Sequence, residues 1–357
     1  MSKPPTLQDV EHLLMPAQRE LATRPGRGRT ASGIPITFPE GVTRDGVDPS
    51  RAAEYAKHRH AENTKRAYGN CWRAFLAWGL AVGESTLPAS PETAGHYLAH
   101  MADTGFKASY IRLARVAIGK AHKKASFLNP MREEPAIGVW EGIRRKKGTA
   151  QEKKNPLLPT SIAAAYEGLP DNLRSDRDKA LVMLGFAGGF RRSELVALNF
   201  EDLQFSDEGL IVRVARSKRD QEAKGAEKII CRGRKRSICP VLLVRRWLDG
   251  SGITEGPLFK PVDRRGRIVW KGRKGEPARL TDKSACEIVK RIAALAGFRP
   301  EEFGGHSLRS GFVTAAAENG ARIEDIMAQT QHGNVQTVVG YMRKTRRFEN
   351  SATKGLY

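Results

Sequence analysis

Long apolar runs are absent from this sequence: no segment approaches the ~18 consecutive apolar residues of a membrane-spanning helix. The first residues, MSKPPTLQDVEHLLMPAQ, also lack the compact apolar stretch and small-residue cleavage site of a secretory signal, so an intracellular, cytoplasmic protein is expected. Cysteine is scarce. Cys71, Cys231, Cys239 and Cys286 form no Cys-x-x-Cys pair and have no histidine at zinc-finger spacing, which argues against a zinc finger and a disulfide framework and leaves reduced, structural thiols. His96 and His100 lie one helical turn apart, but an ordinary helix surface accounts for that pair better than a metal site does. No Walker motif or carboxylate cluster is present, so no cofactor, nucleotide or metal is expected.

Acidic residues are in deficit, with 39 Asp and Glu against 61 Lys and Arg, for a formal net charge of +22. A field of that sign gathers polyanions, and release of condensed counterions makes nucleic acid the leading partner. An anionic membrane surface is the weaker alternative, because the basic residues are spread over both halves of the chain instead of forming one polybasic anchor. The chain has 357 residues. Single hydrophobic cores stop growing near ~250–300 residues, so two domains are expected.

Residues 1–50 are rich in Pro, Gly, Thr and Arg without sustained periodicity and read as a flexible N-terminal arm. From 51 to 146 the pattern is helical. Tyr68, Trp72, Phe75 and Leu76 recur at helical spacing behind an Asn63 cap, a second helix starts at Ser90-Pro91, a third runs over 108–124, and a fourth follows Asn129-Pro130 into 138–147. The polar, proline-bearing segment 147–158 reads as a linker. Beyond it the pattern predicts helices near 160–168, 172–188, 191–199, 240–249, 281–296, 307–319, 323–330 and 334–342. The β-branched runs at 210–215, 228–231 and 237–241 predict a small antiparallel sheet. The fold class expected is therefore mainly α, with an all-α first domain and an α+β second domain over 159–343.

Several basic motifs stand out in the second half. In GFRRSEL, Arg191 precedes Glu194 by three residues and follows the flexible Gly188-Gly189; taken alone it is a common surface ion pair. In ARSKRDQEAKG, Lys218 stands between two strand-like runs, where a lysine usually faces solvent. In GHSLRSGF, His306 and Arg309 are three apart and share a helix side, and an isolated pair of that kind is most often a basic face with a buried histidine. In QHGNVQTVVGYM, His332 and Tyr341 are nine positions apart.

Together and in this order, the motifs resemble the tyrosine recombinase, or phage integrase, family, and within it the plasmid and phage branch that includes Cre recombinase. The resemblance covers nearly all of 61–357 and implies a helical core-binding (SAM-like) domain followed by a catalytic domain. By the same resemblance Tyr341 is the nucleophile, Arg191 and Arg309 clamp the scissile phosphate, His306 and His332 are its histidine ligands, Lys218 is the hairpin lysine, and Glu194 braces the first arginine. Members of the Cre branch often carry tryptophan where this chain has His332. The resemblance further implies double-stranded DNA sites as partners, a homotetramer on two synapsed sites, strand exchange through a Holliday junction, and a bacterial, phage or plasmid origin with association to the nucleoid. In 344–357, Phe348, Ala352 and Leu356 fall four apart, a narrow apolar stripe that the resemblance assigns to docking in trans on the next protomer.

The chemistry explains why such residue types are needed. Attack of a phenolate on a phosphodiester passes through a strongly anionic pentavalent state, so catalysis rests on positioning and charge stabilisation. Guanidiniums hold non-bridging oxygens in a fork that an ammonium cannot reproduce. Histidines donate further hydrogen bonds or accept the tyrosine proton, and a lysine protonates the departing 5′-oxygen. A type IB topoisomerase or telomere resolvase would use the same chemistry. The Arg-Ser-Lys hairpin and short tail favour a recombinase, and intact catalytic positions disfavour a purely DNA-binding scaffold.

Overall fold

The computed structural model describes residues 62–149, 154–214 and 225–345, with the backbone alone at 62–63 and 341–345. The expected arm 1–50, Lys218, Phe348 and Leu356 lie outside the described residues, as does the side chain of Tyr341. The chain divides into two compact units between Gln151 and Glu152.

The first unit is helical among its described residues: α1 (Glu62–Val82), α2 (Pro91–Asp103), α3 (Ala108–Lys124) and α4 (Ala136–Lys147), with a 3₁₀ turn at Pro130–Arg132. Ser90 starts α2 by accepting from the Thr93 amide at 3.1 Å, and Pro91 occupies the first turn, where a missing N–H costs nothing. Asn129 caps the 3₁₀ turn through the Met131 amide at 3.1 Å. The apolar stripes meet in a core of Phe75, Tyr97, Leu98, Ile111, Ile118 and Trp140, with the Phe75 and Tyr97 rings 4.9 Å apart. His122 is fully buried in it. Its Nδ1 donates to the Ile118 carbonyl at 2.9 Å, and its Nε2 accepts from the Ala89 amide at 3.0 Å. Both partners are satisfied only by the neutral ring, and burial pushes its pKa down.

The second unit comprises α5 (Pro159–Glu167), α6 (Leu173–Ala187), α7 (Arg192–Ala197), β1 (Leu203–Phe205), β2 (Gly209–Val214), β3 (Ala226–Cys231), α8 (Pro240–Ser251), α9 (Asp282–Leu295), α10 (Gly305–Glu318), α11 (Ile323–Thr330) and α12 (Val335–Thr345). Helix α6 is its axis. Asn172 caps it through the Ser175 amide at 3.0 Å, and Ala180–Leu184 are buried on every side, packed against α8 and α10. Asp178, fully buried on α6, is held by Arg177 at 2.8 Å and by Arg291 of α9. The Trp247 indole of α8 donates to the Leu258 carbonyl at 2.9 Å, so this wholly buried ring leaves no polar atom unpaired.

The sheet is antiparallel in the order β1-β2-β3, with Leu210 opposite Ile230 and Val212 opposite Lys228. Two features depart from the sequence expectation. The short β1 carries too few residues to display an alternating pattern. The strand expected at 237–241 is instead a 3₁₀ turn at Arg236–Ile238 running into α8, with Pro240 in its first turn. A proline there cannot donate to a ladder but fits the start of a helix.

A smaller core of Val313, Ala317, Ile326 and Val338 joins α10, α11 and α12. Gly311 lets α10 pass close to the incoming chain: a Cβ there would stand 2.1 Å from the Leu157 carbonyl oxygen.

Candidate active site

The site is built where α6 ends. Gly188 terminates the helix and Gly189 takes a left-handed φ of +54°, turning the chain back so that the Phe190 amide donates to the Gly185 carbonyl at 3.1 Å. A Cβ on residue 189 would lie 2.7 Å from the Thr330 methyl, so glycine is required both for the conformation and for the approach of α11.

Arg191 follows in extended conformation as the N-cap of α7. Glu194 reaches back to it with both carboxylate oxygens: Oε2 accepts from the Arg191 amide at 2.9 Å and Oε1 from Nη1 at 2.5 Å. Only 3% of the Glu194 side chain is exposed, against 20% of the Arg191 side chain. The carboxylate is therefore the buried brace and the guanidinium the partly open group. Arg191 Nη2 also donates to the Gln331 carbonyl at 3.4 Å.

Arg309 enters from α10. It is buried, and its Nη1 donates to the Gly189 carbonyl at 2.7 Å. The Arg309 guanidinium thus rests on the short turn from which Arg191 projects. His306 lies one helical turn earlier on α10 and is exposed, so the pair that shares a helix side differs in depth.

His332 follows the C-terminus of α11, where Gln331 adopts a left-handed conformation. Thr330 Oγ1 donates its single proton to the Ile326 carbonyl at 2.6 Å. The 2.7 Å contact between Thr330 Oγ1 and His332 Nδ1 must then be donated by the ring. Thr330 therefore selects the tautomer with Nδ1 protonated, which makes Nε2 the basic nitrogen. Tyr341 lies on α12, the helix that continues from this turn and packs on α10.

One neighbouring residue belongs to none of the motifs. Lys228 on β3 is fully buried, and its ammonium donates to the Gly188 carbonyl at 2.8 Å and to the Gln329 carbonyl. It also stands 4.9 Å from the centre of the Phe190 ring. Its pKa is lowered to about 7, first by burial, against the opposing pull of Glu194 and with further depression from Arg309 and Arg191. The available signal was period two: Lys228 and Ile230 share the inward face of β3, while Glu227 and Ile229 face out. Beside it, Gln329 donates from Nε2 to the Ala187 and Ile229 carbonyls, each at 3.0 Å.

Arg191, Glu194, Arg309 and the chain leading to His332 are thus brought together, and the assembled charge suits a tetrahedral anion. Among the described residues no group of three His, Cys, Asp or Glu side chains is placed to hold a metal ion.

Comparison with known proteins agrees with this arrangement. The phage integrase family model matches residues 159–347. An integrase/recombinase XerD homologue of Selenomonas ruminantium is 37% identical over 301 residues, covering 83% of this chain and 86% of the relative. The Cre recombinase of Escherichia phage P1 is 23% identical over 295 residues, covering 79% and 84%. Sequence similarity to the XerD homologue is thus higher than to Cre, and the Cre branch is only loosely supported. Among solved structures, the Tn1549 transposon integrase in complex with transposon right end DNA superposes with a TM-score of 0.56 at 15% identity, covering 84% of this chain and 96% of that one. The XerH recombinase bound to its difH substrate gives a TM-score of 0.52 at 15% identity, covering 81% and 78%. The fold is shared with both, and the chain belongs to the phage integrase family of tyrosine recombinases.

Proposed function

We propose that this enzyme is a site-specific DNA recombinase that cleaves and rejoins double-stranded DNA through a 3′-phosphotyrosine intermediate. The observation that carries the reading is the convergence of Arg191 and Arg309 on the Gly188–Arg191 turn, with Glu194 buried behind the first and His332 oriented by Thr330.

In this reading the two guanidiniums hold the non-bridging oxygens of the scissile phosphate and take up the charge that grows there. The Tyr341 phenolic oxygen attacks phosphorus, and the bond from phosphorus to the 5′-oxygen breaks. One histidine, neutral, takes the tyrosine proton while the other donates to the phosphate; Nε2 of His332 is the acceptor when its ring is neutral and becomes a donor only in the imidazolium. Lys218, on the segment between β2 and β3, delivers a proton to the leaving 5′-oxygen. The phosphotyrosyl bond retains the energy of the broken diester, so a 5′-hydroxyl from another strand reverses the step without an external energy source.

Strand exchange between two duplexes through a Holliday junction, by a tetramer in which Phe348 and Leu356 dock on the neighbouring protomer, completes the proposal. A ring of heterologous contacts is what a cyclic tetramer requires, and the XerH structure bound to difH supports DNA as the substrate class. The net charge of +22 favours the same partner.

The test uses nicked duplexes that trap the covalent adduct. Wild-type protein is expected to give a protein–DNA band on a denaturing gel, and Tyr341→Phe none while still shifting the duplex on a native gel. An adduct of undiminished yield in the variant would move the nucleophile elsewhere. Two separately labelled duplexes distinguish strand exchange from resealing of the same strand.

A further inference from the structure

We propose that Lys228 is a positioning residue for the arginine clamp: its buried ammonium ties the turn that carries Arg191 to the end of α11 that carries His332. The inference rests on the recombinase reading above and adds to it a residue outside the motifs.

The geometry is specific. Lys228 bonds to the carbonyl of Gly188, immediately before the carbonyl of Gly189 that Arg309 takes, so adjacent peptide oxygens of one turn are held by cations from β3 and α10. The same ammonium bonds to the Gln329 carbonyl, two residues before the Gln331 carbonyl that Arg191 contacts. Three cations and two turns thus form one closed set: Lys228 joins turn to turn, Arg309 joins α10 to the first turn, and Arg191 joins the first turn to the second.

A lysine in this place is costly, since taking an ammonium out of water is unfavourable without full pairing. Glu194 faces it from α7 and supports its charge, while Arg191 and Arg309 oppose it. If β3 needed only an inward residue beside Ile230, an apolar side chain would pack there without that penalty. What the lysine contributes is reach: a four-carbon stem that passes the Phe190 ring and delivers N–H groups to two carbonyls that no helix or strand satisfies. Its full burial also separates it from the general acid, which must meet the leaving oxygen.

The experiment compares wild-type protein with Lys228→Met, which keeps the stem and loses every N–H, and with Lys228→Gln, whose amide keeps two N–H groups without the charge and is the milder change should methionine disturb folding. Single-turnover cleavage is measured on three nicked duplexes: the natural phosphodiester, one with sulfur at the bridging 5′ position, and one with a methylphosphonate at the scissile position. Because Lys228 acts through guanidiniums that neutralise a non-bridging oxygen, methionine is expected to slow cleavage at least ~30-fold on the first two substrates, matching ~2 kcal/mol. On the methylphosphonate, where that oxygen charge is gone, the loss relative to wild type should shrink to within about threefold. Glutamine should show the same pattern with a smaller loss, and single-site DNA binding should hold in both.

Equal loss on all three substrates would mean general destabilisation and overturn the proposal. Rescue by bridging sulfur would make Lys228 the acid and overturn it as well, as would cleavage at the wild-type rate. If wild-type protein forms no adduct on the phosphodiester, the recombinase reading itself fails and this inference falls with it.

Discussion

Replacing Glu194 by glutamine tests the clamp at its most buried point. The carboxylate accepts from the Arg191 amide and from its guanidinium, one oxygen to each. Glutamine keeps one acceptor oxygen and presents an NH₂ group where the other stood, so one of the two donors faces another donor. A hydrogen bond to a charged group contributes ~1.5–3 kcal/mol, and the lost contact here is the charge-assisted one or the one that starts α7. The side chain is only 3% exposed, so water does not replace it. If the cost falls on the guanidinium pose, about 2–3 kcal/mol of transition-state stabilisation is lost, or roughly 30- to 150-fold in rate. A second effect adds to it: Glu194 sustains the charge of Lys228, so the Lys228 pKa should fall further below about 7. The defect should therefore deepen as pH rises from 6.5 to 8. The assay is single-turnover adduct formation on a nicked duplex across that pH range, with DNA affinity measured alongside. A cleavage rate within threefold of wild type at every pH refutes the reasoning, because it would mean that Arg191 needs no brace.

Lys218→Ala should slow cleavage of a natural duplex by two or more orders of magnitude, the scale of general acid catalysis, and recover most of that on a bridging-sulfur duplex. Equal losses on both would reassign Lys218 to a phosphate contact. His122 should make the first unit acid-sensitive. Its folded pKa is depressed, so the unfolded chain takes up the proton first, and stability is lost as pH falls below the unfolded value of about 6.5. Urea melts followed by fluorescence of Trp72, Trp78 and Trp140, which pack in or against that core, should show a shallower pH slope in His122→Gln than in wild type between pH 7.5 and 5. Parallel slopes would remove His122 as the cause.

Much of this was legible because the family motifs are local. Arg191 and Glu194 sit three apart, and that spacing alone allows the carboxylate to reach back over one turn. Ser90, Asn129 and Asn172 declare the starts of α2, the 3₁₀ turn and α6 by their own chemistry, and Ser90 beside Pro91 is the one of the three that the sequence pattern names as a cap. The run 237–241 misled because β-branched residues signal a strand only where every residue can pair, and Pro240 cannot. The missed β1 has three residues, too few for alternation to show.

Periodicity and charge along the chain suffice for the helical first unit, the mixed second unit and the basic character, whereas the candidate reactive residues and their order are read from the resemblance of their motifs to the family. How deep each residue lies and what it touches depend on packing between elements distant along the chain. His306 and Arg309 share one helix, yet the first is exposed and the second is buried, because the packing of α10 against α6 and α12 is set by residues far away in sequence. The tautomer of His332 depends on where the Thr330 proton goes. Lys228 reads as one more basic residue in a chain rich in them. The inward face of β3 at its third position lets the Lys228 side chain reach two backbone carbonyls contributed by segments 40 and 101 positions away.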